Sequence, residues 1–458
     1  MSRPAASAPA PPSAPSSPPA PAGGRRAPLV LRNRAFGAVW LGQVLTQAAV
    51  RMFQVGVSWW LVAHAVRDGA GVASGLFMAA CTLPAVVLAP VVARALARFA
   101  HRSVLRNSAA LAGGVALALA AWAYGDGPPL PTVYGAALAL AACQAFFDPC
   151  LTTSVPELVD DADIETATGF ELSTQSLAGL GGALLGALTV DRAGVPGLAA
   201  GCAVAYLGAA LLVAGARFRA AGPVPGTGDA GDGGDAGQAG DAGSGLPAAA
   251  GPRPLRSLLG ELPAVRRILV CFTAANLFTA AVFVVIPLYT RAVLDGGGAT
   301  VALLEASLGA GALVGAFTGS RLPGRPTVAG AYCLGLMALA LALPGLFAHR
   351  AVFAACLAVS GWCAGAVSVR FVALFQRSVP AADKPGFFAA MQAVLGSALP
   401  VASLVFGSAG DFLSPRTLCL VQGLGLLPAA CALALSAGTA ARGTPAGHPD
   451  TERIGDPR

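Results

Sequence analysis

The chain has 458 residues, 55% hydrophobic and only 11% charged, with a mean hydropathy of +0.69, a balance too apolar for a soluble multidomain protein. Its 58 glycines follow no triplet period and its ten cysteines are few for this length, which excludes collagen-like and disulfide-framework classes. The net charge of +7 does not point to nucleic acid, because the 29 basic residues are spread over short connections and form no single patch.

Residues 1–28 are rich in Pro, Ala and Ser and lack the apolar stretch of a signal peptide. They read as a disordered cytoplasmic tail. Apolar stretches long enough to cross a hydrocarbon core then recur at about 35–63, 72–93, 104–124, 130–150, 166–190, 195–216, 267–290, 299–320, 326–348, 351–372, 386–410 and 416–437. Their length and lack of strict alternation predict helices, not barrel strands. The expected fold is an all-α membrane protein with twelve transmembrane helices in two pseudo-symmetric six-helix bundles.

Arg and Lys divide unevenly between the two sides of this topology. The tails and even-numbered connections hold 22 of them, including Arg32, Arg34, Arg98, Arg102, Arg321, Arg377 and Lys384, whereas the odd-numbered connections hold five. The two remaining, Arg51 and Arg370, fall inside spans. This asymmetry predicts a multi-pass protein of the cytoplasmic membrane with both termini in the cytoplasm.

The longest internal connection, 218–262, contains Gly228-Asp229-Ala230-Gly231-Asp232 and reads as a flexible cytoplasmic linker. It separates a first bundle, 29–217, from a second, 263–440, followed by a disordered tail, 441–458. The halves match at an offset of 220: Val159-Asp160-Asp161-Ala162-Asp163 falls on Val379-Pro380-Ala381-Ala382-Asp383, and Asp191 on Asp411. An internal duplication of six spans is the plan of alternating-access carriers.

Several short motifs carry a family resemblance. Leu31-Arg32-Asn33-Arg34-Ala35-Phe36 leads to Trp40-Leu41-Gly42-Gln43, Phe146-Phe147-Asp148-Pro149 closes the fourth span, Val155-Pro156-Glu157-Leu158-Val159 follows, and Gln175-Ser176-Leu177-Ala178 lies in the fifth. With these, residues 29–440 resemble the major facilitator superfamily, within it the branch of macrolide-efflux and enterobactin-export carriers. The resemblance implies a secondary transporter, not an enzyme. It has departures: the superfamily's Gly and Asp after the second span fall on Ala93 and Ala97 while Arg98 and Arg102 remain, the antiporter Gly-Pro becomes Gly182-Ala183, and an acid common before the first-span Arg is Val50.

Other chemistries find no support. The single lysine, Lys384, precedes Pro385, so there is no phosphate-binding Gly-Lys-Ser/Thr loop. The four histidines have no zinc-protease spacing and the cysteines form no Cys-x-x-Cys pair. No catalytic residue, metal or cofactor is expected.

Charges inside spans are costly and are functional candidates by default. Arg51 lies roughly 22 Å from the cytoplasmic face and Glu305 roughly 9 Å from the outer one, so they share a depth. Arg51, Glu171 and Glu305 are the candidates for coupling, with Trp40, Asn276 and Tyr289 as polar or aromatic candidates for solute contact beside a span softened by Pro287. Asp148 and Arg370 end spans related by the duplication and are read, with Arg98 and Arg102, as a cytoplasmic gate. Each of these ions also has a local reading, as a structural pair or a charge reaching the headgroups. Trp59 and Trp60 sit where an outer aromatic belt is expected. Gly311, Gly315 and Gly319 in the eighth span, and Gly182 and Gly186 in the fifth, have the spacing of close helix contacts, which the resemblance places between the halves.

The expected function is proton-coupled export of a small amphiphilic molecule, antibiotic- or siderophore-like, by rocking of the two halves. The expected partners are the lipid bilayer, the solute and protons, with no nucleic acid, and the chain is expected to be a monomer. A proton-independent facilitator or importer remains open, as does a non-transporting sensor that kept the fold.

Overall fold

The computed structural model describes residues 29–125, 127–159, 163–216, 259–380 and 383–442. The N-terminal tail, most of the predicted linker and all but 441–442 of the C-terminal tail lie outside the described residues. All long elements among the described residues are helices, as a hydrocarbon environment requires of a chain that must pair its own backbone groups. Ten helices there are long and apolar enough to cross a membrane. One of them, Leu177–Gly215, holds two crossings, because the chain turns at Gly194, whose φ of +63° is open to glycine, just before Pro196. The first helix, Arg34–Trp60, makes twelve; Gln43, Gln47, Arg51 and Gln54 leave it more polar than the others.

In chain order, spans 1 to 4 are Arg34–Trp60, Ala70–Val87, His101–Ala123 and Leu130–Leu158, and spans 5 and 6 are the two arms of Ile164–Gly215. Span 7 runs through Pro263–Ala280 and Val282–Ala292, and spans 8 to 12 are Gly298–Thr318, Pro326–Leu346, Arg350–Ser378, Lys384–Gly410 and Pro415–Arg442. Odd-numbered spans begin at the end that gathers Arg32, Arg34, Arg98, Arg321 and Arg377, called here the basic end. The duplication is visible in the elements: spans 4 and 10 are both 29 residues long and displaced by 220 at each end, and spans 5 and 11 begin at Ile164 and Lys384, the same displacement.

Local chemistry sets several ends. The Asn33 side-chain oxygen accepts from the Ala35 and Phe36 amides, both at 3.1 Å, and its amide donates to the Leu158 carbonyl at 2.7 Å. One residue thus caps the start of span 1 and the end of span 4. Span 2 contains Pro84 and gives way at Leu88 to an amphipathic helix, Ala89–Arg98. Span 7 is interrupted at Ala281, ahead of Pro287, which has no amide hydrogen for the Phe283 carbonyl.

Small residues set the close contacts, but mostly within the halves. A Cβ on Gly311 or Gly315 would lie 2.0 or 2.1 Å from the carbonyl oxygens of Ala358 or Trp362 in span 10. Gly361 and Gly365 meet Leu308 and Ala312 in the same way from the other side. In span 5, Gly182 and Gly186 abut Ala48 and Met52 of span 1. The expectation that these stripes join the halves is therefore corrected: spacing shows that a helix admits a neighbour, not which one. Between the halves the close approaches are Gly71 and Gly75 of span 2 against Gly407 and Ser403 of span 11, and Gly298 of span 8 against Ala187 of span 5.

The span 8 stripe generates a paired prediction. Gly315→Ala should lower thermal stability in detergent by about 1–3 kcal/mol, because its methyl has no space. Gly335→Ala, whose Cβ meets nothing within 4 Å, should be neutral or stabilising by up to about 1 kcal/mol. Equal responses of the two variants would refute tight packing at the span 8–span 10 contact.

Candidate functional site

A cavity of about 700 Å³ lies between the two halves. Spans 1, 2, 4 and 6 line it from one side and spans 7, 8, 10 and 11 from the other, and it reaches toward the basic end as far as Val86 and Pro149. Most of the wall is apolar, including Val50, Phe53, Leu140, Phe283, Leu308 and Leu399, with Gln47, Gln54, Thr82, Gln144, Asp148, Asn276 and Thr279 as its polar positions. An apolar chamber with a few placed polar groups is the usual form of a small-molecule site.

The polar positions are ordered by one another. Asp148 accepts from the side-chain amide of Gln47 at 2.8 Å and from that of Gln144 one turn earlier on its own helix. Asn276 donates to the Leu395 carbonyl at 2.9 Å, tying span 7 to span 11. Tyr206 is 2% exposed, lines the cavity, and its hydroxyl has no hydrogen-bond partner among the described residues. A buried hydroxyl without a partner is uncommon, and a solute or water in the cavity beside it can supply a bond.

Above the cavity Arg51 and Glu305 meet. Their side chains approach to 3.8 Å, with Glu305 only 5% exposed and Arg51 28%. Arg51 also donates to the Gln54 side-chain oxygen at 3.2 Å and lies 4.9 Å from the centre of the Phe283 ring. The pair bridges span 1 to span 8 and hence one half to the other.

Beyond this pair the opposite end is sealed by two carboxylates, 220 residues apart. Asp191, at the end of span 5, accepts from the Trp59 indole at 2.7 Å and from the Gly298 amide at the start of span 8 at 2.6 Å. Asp411, at the end of span 11, accepts from the Gly71 and Val72 amides at the start of span 2, at 2.8 and 3.2 Å. Each half thus supplies an acid that caps a helix of the other, where unpaired amides and the helix dipole favour negative charge. Arg291 adds a bond to the Val62 carbonyl across the same junction. Hydrogen bonds and ion pairs that join the halves among the described residues lie at this end or at the level of Arg51.

The candidates named from the sequence fall into separate groups. Arg51 and Glu305 come together, and Asn276 and Asp148 line the cavity. Arg370 does not reach Asp148: it donates to the carbonyls of Gly319, Leu322 and Gly324, where span 8 ends. The predicted gate pair is not formed in this conformation, because the inter-half contacts lie at the far end and Arg370 is held inside its own half. Arg102 likewise stays in its half, on the Ala214 carbonyl, and Arg98 is exposed. Two solute-contact candidates are displaced from the cavity. Tyr289 is fully buried and donates to the Pro344 carbonyl at 2.6 Å, and Trp40 packs with the cluster of Phe36, Phe147 and Val213 at the basic end. Trp59 is buried against Asp191 and is not part of an exposed belt. The Glu171 side chain lies outside the described residues.

Gln47, Gln54 and Gln144 were not among the expected site residues, although their signal is present. Gln43, Gln47, Arg51 and Gln54 recur at spacings of four, four and three, one face of a helix, and Gln144 precedes Asp148 by one turn.

The geometry is that of two six-helix halves around a central chamber closed at one end. The Major Facilitator Superfamily profile matches residues 39–400, and the chain belongs to that superfamily. It is similar in structure to a bacterial homologue of the human lysosomal transporter Spinster in an inward-facing, unoccupied conformation, with a TM-score of 0.66 at 10% identity, covering 89% of this chain and 98% of that one. The D-xylose–proton symporter gives 0.64 at 12% identity, covering 87% and 96%, and a mutant of the nucleoside transporter NupG 0.62 at 11%, covering 88% and 99%. No curated protein matches the sequence. Family and neighbours point to a transporter rather than an enzyme.

If the two trans caps hold the far end shut, Asp191→Ala with Asp411→Ala should remove about 1–4 kcal/mol from the closed state, enough to shift the ratio of open to closed by about fivefold or more. Spin labels at positions 68 and 412, in a background without the ten native cysteines, should report a longer inter-half distance. An unchanged distance distribution would show that small-residue packing alone makes the seal.

Proposed function

We propose that this chain is a secondary exporter of a small amphiphilic molecule, working by alternating access between the halves and driven by protons. The observation that carries the reading is the chamber itself: a largely apolar wall with a carboxylate and several amides on one side suits a solute with an apolar body and a polar group. The Arg-rich end is taken as cytoplasmic, which makes the described conformation open inward and closed outward. The resemblance of the sequence motifs to macrolide-efflux and enterobactin-export carriers favours the same cargo class.

The coupling site in this reading is the buried pair of Arg51 and Glu305. It joins the halves while Glu305 is charged, and protonating Glu305 removes the attraction at the level where the halves must separate. An intramembrane ion pair between two moving bodies is suited to this use. Glu171 remains a second carboxyl in the same role.

Closing the inner end and opening the outer one would leave Asp148 and Arg370 as opposite charges on duplicated spans, able to form the inner gate that is absent here. Arg370 would then exchange three carbonyl acceptors for a carboxylate.

The transport reading is tested in proteoliposomes by measuring movement of fluorescent amphiphilic compounds under an imposed pH gradient. Wild-type protein should move solute against its concentration gradient, and Glu305→Gln should retain exchange while losing gradient-driven accumulation. If Glu305→Gln responds to the gradient as wild type does, coupling lies elsewhere. If no compound moves with either protein, the exporter reading fails. Cysteines at positions 148 and 370, in the same cysteine-free background, should cross-link only when solute or the gradient populates the outward-open state; cross-linking equally in every condition would rule out a gate.

A further inference from the structure

The transport cycle leaves one strongly charged feature unused. Arg94, Arg98, Arg102 and Arg106 recur every four residues through the helix Ala89–Arg98 and the start of span 3, and all four are exposed. The residue after each of them, Ala95, Phe99, Ser103 or Asn107, lines a second groove of about 580 Å³. From this edge the groove runs between spans 3 and 4 past Leu111 and Phe146. Phe99 and Leu111 are each 62% exposed. Span 4 divides this groove from the central chamber, with Gln144 and Asp148 on the chamber face and Cys143 and Phe146 on the other.

Among the described residues no carboxylate pairs with this arginine row. Arg102 donates to the Ala214 carbonyl and Arg106 to the Asn107 side-chain oxygen, neutral acceptors that satisfy hydrogen bonds without balancing charge. Glu157, an acid at the same end of span 4, is engaged by His101 at 2.6 Å. Position 97, in the middle of the row, is alanine. Arg94 and Arg98 form no ion pair among the described residues.

An apolar slot with exposed Phe99 and Leu111, whose basic end is formed by residues each next in sequence to an exposed arginine, matches a molecule with an acyl chain and an anionic phosphate headgroup. We propose that the groove between spans 3 and 4 binds an anionic phospholipid from the leaflet at the basic end, with its phosphate at Arg94 and Arg98 and an acyl chain along Leu111 and Phe146. The lipid supplies the negative charge that the row lacks. The guanidinium groups can hold phosphate oxygens in bidentate fashion, and a basic amphipathic helix at the interface presents them at headgroup level.

The test is native mass spectrometry of the full-length wild-type protein in detergent, titrated with phosphatidylglycerol and with phosphatidylcholine of identical acyl chains. Phosphatidylglycerol should be retained in preference. Arg94→Gln with Arg98→Gln should weaken its apparent affinity by about thirtyfold, to the level of phosphatidylcholine. Leu111→Trp, which fills the groove and leaves the arginines, should weaken retention of both lipids. Millimolar inorganic phosphate should not displace the bound lipid. Equal retention of the two lipids by wild type overturns the site without recourse to any variant. So does a phosphatidylglycerol preference that survives the arginine substitutions, or displacement by phosphate alone.

Discussion

Two carboxylates at equivalent places in the duplicated halves, Asp191 and Asp411, join the halves at the end opposite the opening of the central chamber. Each lies at the end of one helix and accepts from the first amides of a helix in the opposite half. Those amides have no partner within their own helix, so every trans cap satisfies groups that separation would return to solvent. The glycines at these sites are part of the same arrangement, since a Cβ on Gly71 would lie 2.4 Å from the Gly407 carbonyl oxygen and one on Gly298 2.4 Å from that of Ala187. With this end drawn together, Arg51 comes within reach of Glu305 and the chamber is left to extend toward the basic end.

Much of the architecture was legible because hydrocarbon restricts the choices. Span length, the asymmetry of arginines and the offset of 220 follow from the sequence alone, and the offset reappears in the ends of spans 4 and 10. Asn33 stood out only as part of a motif; its physical reason, capping span 1 while binding the end of span 4, needed coordinates. Faces were legible and partners were not. The glycines of span 8 announced a close neighbour, but nothing in their spacing chose span 10 over span 5. Tyr289 was polar and near a proline, yet its hydroxyl turned to the Pro344 carbonyl within the second half. The shared depth of Arg51 and Glu305 did carry through to contact, because few counterions exist at that level and an isolated charge there is costly.

The sequence candidates favoured formal charges, and the chamber shows why that choice was incomplete. Asp148 is positioned by Gln47 and Gln144, which add hydrogen-bonding capacity without net charge. A wall of this kind leaves one carboxylate embedded among amides and hydrocarbon. Polarity then depends on amide orientation, which can change with the solute at less cost than moving a charge. The glutamines recur on one helical face, and that pattern was as readable as the charges.

An alternating carrier also constrains how strong its own seal can be. The trans caps, each worth about 0.5–2 kcal/mol, and the Arg51–Glu305 pair are individually modest contacts, and the close glycine approaches add packing without covalent or metal links. Binding of a solute can shift an equilibrium only by its differential affinity for the two states, and inverting a ratio of about 1:99 already needs about 5.5 kcal/mol. In the proposed cycle, a seal much stronger than the sum of these contacts could not be opened by one small molecule and one proton. Hydrogen-bonded caps at the closed end, with the buried ion pair beneath them, are contacts of a strength that the ligand binding and protonation of the proposed cycle can reverse.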